Sequence, residues 1–216
     1  MPFNPQTTCD ATIDVSHWQG DHIDWAQVQA TGIQCVMIKA TQGLSKDNRW
    51  EINRDGARQQ GLLVIPYAFV TDDDPVAQAQ FFVQPAGLSA GKPAAIDWEG
   101  DSAPAADVVE RIGLAVATVI ARDPLGYWGL HPPGAPTAAM ARWPRWIPRY
   151  PLNDDGTFDM AHQPTAPWLF WQYTQKMGID GITGSVDASL FSGSEDELKA
   201  WCQTSTLPAS LAPAIG

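Results

Sequence analysis

The sequence predicts an α/β fold, an irregular (β/α)8-like barrel with fewer helices in its second half. Apolar runs of strand length alternate with amphipathic helical segments, which is the pattern of a parallel sheet covered by helices. Eight such runs follow one another, enough to close a barrel. A chain of 216 residues with 44% hydrophobic content suits one domain with a sizeable core.

The elements can be justified in turn. TIDVSH (12–17) alternates Ile13 and Val15 with Asp14 and Ser16, a period of two. A helix follows from about Asp24 and stops at Gly32. QCVMIKAT (34–41) is a nearly continuous apolar run, as expected of a strand buried on both faces. A second helix spans about Arg49 to Gln60 and closes on Gly61, and LLVIPYAF (62–69) is the third strand. Asp74 and Pro75 supply an N-cap acid and a proline at the first helical position.

KPAAIDWE (92–99) reads as the fourth strand, and Pro104 opens a helix in which Val108, Ile112, Val116 and Val119 recur three or four apart. LGYWG (125–129), RWIPRY (145–150), WLFWQY (168–173) and GSVDASL (184–190) complete the eight. Ser194 and Glu197 form a capping-box pattern for a last helix. Two long connections, 130–142 and 151–166, follow strands five and six and are expected to wall a groove.

Composition narrows the function. Thirteen basic residues against 24 acidic ones give a net charge of -11, which disfavours a nucleic-acid partner. No apolar stretch reaches the ~20 residues of a membrane helix. The N-terminus lacks the charged head and apolar core of a secretory signal, so synthesis in the cytoplasm is expected. Ten tryptophans exceed what a core of this size needs and suit stacking on sugar rings. Of the three cysteines, Cys35 reads as a buried thiol; a Cys9–Cys202 bridge stays open, because the sequence gives no distance.

Alternation also aims the acids. If Ile13 and Val15 face the helices, Asp14 faces the barrel interior; likewise Asp97 and Glu99 of strand four and Asp187 of the last strand. Four carboxylates then meet at one mouth, where they cannot all ionise alike, and one titrating high can act as a general acid. The bland alternative is a set of solvated strand ends. A hard-cation site of carboxylates is a further one. No metal is expected, since the four histidines and three cysteines show no ligand spacing. No cofactor is implied, there being no Gly-rich phosphate loop, and serine or cysteine nucleophile signatures such as G-x-S-x-G are absent.

IDVSHWQGDHIDW, CVMIKATQG, AAIDWEGD, RWIPRY, WQYT and GSVDASLF resemble, in order, the motifs of glycoside hydrolase family 25. These are the Chalaropsis-type lysozymes, many of them bacteriophage endolysins. The resemblance runs from about Ala11 to Trp201 and implies cleavage of the β-1,4 bond between N-acetylmuramic acid and N-acetylglucosamine in peptidoglycan. It implies Glu99 as proton donor and Asp97 as the group that holds the substrate's N-acetyl or stabilises developing positive charge. Asp14 and Asp187 would tune that pair. Tyr127, Trp146, Tyr150 and Trp171, with Gln42 and Tyr67, would bind substrate. A monomer acting on the cell wall is expected, with residues 1–203 as the catalytic domain and 204–216 as a linker-like tail.

The chain departs from the family pattern at Gln42, where glutamate is usual, and at Ala68, where histidine is usual. The second departure is expected to alter substrate fit. A non-catalytic wall-binding barrel and a chitin hydrolase stand as alternatives. Residues two apart on a strand lie about 6.6 Å apart along the backbone, which side chains can close towards the ~5–5.5 Å of retaining pairs or widen within the ~6.5–9.5 Å of inverting ones, and assistance by the N-acetyl group escapes that choice.

Overall fold

A computed structural model of the chain describes residues 9–20, 22–101, 103–150 and 163–211, with side chains from Thr12 onward. The strands are β1 (Cys9–Val15), β2 (Cys35–Gln42), β3 (Ser45–Lys46), β4 (Leu63–Phe69), β5 (Ala95–Asp97), β6 (Leu125–Tyr127), β7 (Arg145–Pro148), β8 (Phe170–Met177) and β9 (Val186–Phe191). The helices are α1 (Trp25–Ala30), α2 (Trp50–Gln59), α3 (Pro75–Ala86), α4 (Ala106–Ile120) and α5 (Glu195–Thr204).

The sheet runs β1-β9-β8-β7-β6-β5-β4-β2-β3 and closes through β1 on β2, so eight strands form the expected barrel. The short β3 folds back on the end of β2 and lies outside the ring. Two residues are too few to show a period, so the sequence could not announce it. Four helices serve the first half. Between β6 and β7 only a 3-10 turn at Met140–Arg142 is found among the described residues.

The all-parallel expectation needs one correction. The strand β9 is antiparallel to both neighbours, β8 and β1. The connection from Met177 to Val186 explains it: residues 178–185 are fewer than the roughly dozen a parallel crossover needs. The reversal puts the start of β9, rather than its end, at the mouth of the barrel.

Side-chain parity sorts the core into two layers. Val36, Ile38, Ile96 and Trp98 point outward to meet Phe82 of α3 and Ile112 and Val116 of α4. Met37, Ile65, Ala95, Leu125 and Phe170 point inward and pack on Leu198 and Trp201 of α5. Thus the last helix plugs the bottom of the barrel. Ser194 and Glu197 form its capping box as expected. Arg122 stacks on Trp201, 4.4 Å from the ring, and donates to its carbonyl oxygen at 2.9 Å.

Two expectations change here. Beyond Thr204 the chain, linker-like in composition, turns back: the Ala209 N–H donates to Glu197 and Leu211 is buried in the inner layer. The tryptophan surplus is mostly structural, since Trp50, Trp98, Trp128, Trp143, Trp146, Trp171 and Trp201 are almost wholly buried. Cys35 is buried in the inner layer as expected, while the Cys9 side chain lies outside the described residues. So does most of the connection 151–166.

Gly113 shows how tightly α4 sits, because a Cβ there would enter the Trp143 ring. Alanine is the better helix former by roughly 1 kcal/mol, but overpacking costs about 1–3 kcal/mol. Gly113→Ala is therefore expected to lower Tm in thermal denaturation, and a raised Tm would show the Trp143 contact to be loose.

Candidate active site

The site is built on strand ends that the barrel holds in register. Asp14 on β1 stands directly opposite Asp187 on β9. Asp97 ends β5 beside Tyr127 of β6, with Phe69 of β4 on its other side. Glu99 lies two residues further, just before Gly100, whose φ of 87° suits glycine and turns the chain away. Between the two acids, Trp98 is buried outward; its Nε1 donates to the Pro104 carbonyl at 2.8 Å. That anchor fixes the loop carrying Glu99.

All four acids line one cavity of about 210 Å³, with Lys39, Tyr67, Tyr127, Trp146, Gln172 and Trp18 among its walls. The inward parity expected for Asp14, Asp97, Glu99 and Asp187 is what the structure has. Strand β9 reaches the mouth from the opposite direction, yet Asp187 is its second residue and so arrives at the same level.

Like charges directly opposite on neighbouring strands destabilise a sheet, and Gln172 on β8 answers this. Its Nε2 donates to Asp14 Oδ2 at 2.8 Å and to Asp187 Oδ2 at 3.2 Å. Its Oε1 accepts from the Tyr127 hydroxyl at 2.9 Å and the Tyr150 hydroxyl at 2.7 Å. Both amide hydrogens and both carbonyl lone pairs are used. The amide orientation follows, since only Nε2 can face two carboxylates.

Electrostatics push every acid of the cluster upward. Burial raises Asp14 well above the usual carboxylate range, with Asp187 adding to the rise and the Gln172 hydrogen bond opposing it. Burial also raises Asp97, helped by Glu99 and Asp14 and opposed by the Lys39 ammonium. Its Oδ1 is buried without a hydrogen-bond partner. Glu99 stands more open at the rim; partial burial still raises it, while Lys39 and the Tyr127 hydroxyl pull it down. Burial, with Glu99, raises Asp187 to about 6.

The expected aromatic positions divide. Tyr67, Tyr127 and Trp146 line the cavity, Trp146 as floor with its Nε1 donating to Ser189 Oγ at 3.1 Å. Tyr150 stands exposed above them, tied to Gln172. Trp171 does not reach the groove: it is fully buried in the outer layer and donates to the Arg149 carbonyl. Parity is the reason, since Phe170 and Gln172 face inward and Trp171 must face out. Ala68 is corrected likewise. It packs in the outer layer and cannot touch a ligand in the cleft. Gln42 sits at the exposed end of β2, accepting from Lys39 Nζ at 3.2 Å.

Gln172, Lys39 and Trp18 were not expected at the site. The parity used for the acids would have found Gln172. Trp18 is 78% exposed, on a 3-10 turn whose capping box joins Ser16 and Gln19. The S-x-x-Q spacing marks that turn in the sequence, though not the exposure of the tryptophan it carries. Among the described residues, no three His, Cys, Asp or Glu side chains gather as metal ligands.

An eight-stranded barrel with carboxylates gathered at one mouth is an arrangement that glycoside hydrolysis by paired acids can use. The chain belongs to the glycosyl hydrolases family 25, whose model matches residues 13–182. It is 32% identical over 203 residues to the uncharacterized protein YegX of Escherichia coli O157:H7, covering 88% of this chain and 72% of that one. It is 27% identical over 223 residues to lysozyme M1 of Streptomyces globisporus, covering 87% and 69%. Its fold matches the bacterial lysozyme of Streptomyces coelicolor at a TM-score of 0.72 and 24% identity, covering 92% of this chain and 97% of that one.

The pH dependence of stability follows from the raised acids. A carboxyl that binds its proton more tightly folded than unfolded favours the fold at low pH and loses that contribution as pH rises through the folded value. For Asp187 the loss spans from about 4, its unfolded value, to about 6. Wild-type Tm is therefore expected to fall across that window, and Asp187→Asn to flatten the fall. Parallel Tm curves for the two proteins would refute the assignment.

Proposed function

We propose that this chain is a muramidase that cleaves the β-1,4 bond between N-acetylmuramic acid and N-acetylglucosamine in the bacterial cell wall. The observation that carries it is the convergence of Asp14, Asp97, Glu99 and Asp187 on one cavity. Glu99, raised yet open to the cleft, gives its proton to the glycosidic oxygen as the bond to C1 breaks. The sugar's own acetamido oxygen attacks C1 from the other side. Asp97 accepts the acetamido N–H, a donor its unpartnered Oδ1 otherwise lacks. Water then opens the cyclic intermediate and returns its proton to Glu99, so configuration at C1 is retained.

In this scheme Asp14 and Asp187, held by Gln172, supply negative potential beneath the developing positive charge without touching C1. Trp18 offers an exposed indole face at the rim on which a sugar can stack. The protein acts as a monomer, with residues 1–203 as the catalytic unit. The wall-binding and chitinase alternatives gain nothing from the departures at 42 and 68. Ala68 lies on the wrong face of its strand, and Gln42 removes no acid from the cavity.

Glu99→Gln is expected to lower kcat by at least ~10²-fold, the usual scale of a general acid, with Tm unchanged or raised. Mass spectrometry of fragments from purified wall should show new reducing ends on N-acetylmuramic acid. Reducing ends on N-acetylglucosamine instead would reassign the bond, and wild-type kcat in the variant would reassign the proton donor.

A further inference from the structure

Beside the catalytic cavity lies a second depression of about 390 Å³, and Lys39 lines both. Lys39 is 6% exposed. Its ammonium donates to the neutral Gln42 amide at 3.2 Å and stands 5.6 Å from the centroid of the Phe69 ring. No carboxylate lies within ion-pairing distance of it among the described residues. The other charges of the depression are already engaged. Lys46 pairs with Glu51 at 2.6 Å, and Asp47 accepts from the His17 ring at 2.8 Å and from the Arg49 N–H at 2.9 Å.

A buried ammonium gains most from a carboxylate in direct contact, and Lys39 has only one amide and a ring face at short range. Asp97 and Glu99 line the same cavity and share its field, but neither makes an ion pair with it. Lys39 thus keeps its short-range contacts to an exposed neutral amide and a ring face, which an incoming carboxylate can displace or join. The position also opens into the cavity where the sugar would sit over Glu99, so an anion bound there can belong to the same glycan.

We propose that Lys39 and Gln42 form an anion subsite that takes a carboxylate carried by the N-acetylmuramic residue, either on its lactyl arm or on the peptide attached to it. This rests on the muramidase reading. The ammonium pairs with the carboxylate and the Gln42 amide, freed from Lys39, donates its N–H to the second oxygen. Thr71, on the wall of the same depression, adds a hydroxyl. The subsite would let an acidic cleft prefer an acidic sugar over a neutral one, which the four carboxylates alone would repel.

The test is calorimetric titration of the chain with a wall disaccharide bearing the free lactyl acid, with its methyl ester, and with the disaccharide carrying a dipeptide. The acid is expected to bind about 10-fold more tightly than the ester, the scale of one hydrogen bond to a charged group. Gln42→Glu, which places a competing carboxylate beside Lys39 at an exposed position, and Lys39→Met should each bring the two affinities together. A preference seen only with the dipeptide's free carboxylate locates the source on the peptide and supports the subsite equally. Equal binding of acids and esters by the wild-type chain, or a preference that survives in Gln42→Glu, would overturn it. Turnover of purified wall, measured alongside, separates the two readings. Turnover without discrimination sinks the subsite alone, and absence of turnover sinks the muramidase assignment on which it rests.

Discussion

Asp14 and Asp187 face each other across two antiparallel strands, and both accept from the single amide of Gln172. That arrangement sets the geometry of the whole mouth. It needs β9 to run backwards, because only then does the second residue of that strand reach the level at which β1 ends. It also needs β8 to present Gln172 inward, which sends Trp171 out to the helices. The Gln172 carbonyl in turn holds the hydroxyls of Tyr127 and Tyr150, one from inside the barrel and one from above the rim. Four strands are thereby tied through one side chain.

The pairing of Asp97 with Glu99 depends on a different device. The intervening Trp98 faces the opposite side, packs edge-on against Trp128 at 6.1 Å, and bonds the Pro104 carbonyl. Outward packing therefore positions the inward acids. Asp97 stays buried on the strand, while Glu99 emerges past its end, where it meets solvent. Two carboxylates two residues apart acquire different exposures, and that difference underlies the separate roles proposed for them.

Much of this was legible in the sequence. Period-two alternation aimed Asp14, Asp97, Glu99 and Asp187 correctly because each is flanked by large apolar residues whose direction is unambiguous. The same rule, had it been applied to WLFWQY and LLVIPYAF, would have replaced Trp171 with Gln172 and moved Ala68 to the outer layer. The reversal of β9 was carried by a length, the short connection 178–185, and not by any residue type. Trp18 and Lys39 were harder. Nothing local distinguishes a rim tryptophan from a core one among ten, or a lysine without a counter-ion from one paired across the barrel. Those facts are set by contacts far apart in the chain.

Why the amide at 172 is neutral follows from what the acids must do. A lysine or arginine there would pair with Asp14 and Asp187 and oppose the rise caused by burial far more strongly, since an adjacent cation favours the charged form. Hydrogen bonds from a neutral amide oppose the rise caused by burial without abolishing it, and Asp14 remains raised even while accepting from Gln172. Such a pair can keep or release a proton as the charge above it changes. The field at Glu99 then varies with the state of its neighbours, which is what the proposed general acid would need. The cost is a cluster that weakens the fold whenever it ionises, and the two-layer core beneath it, plugged by α5, is what sustains that cost.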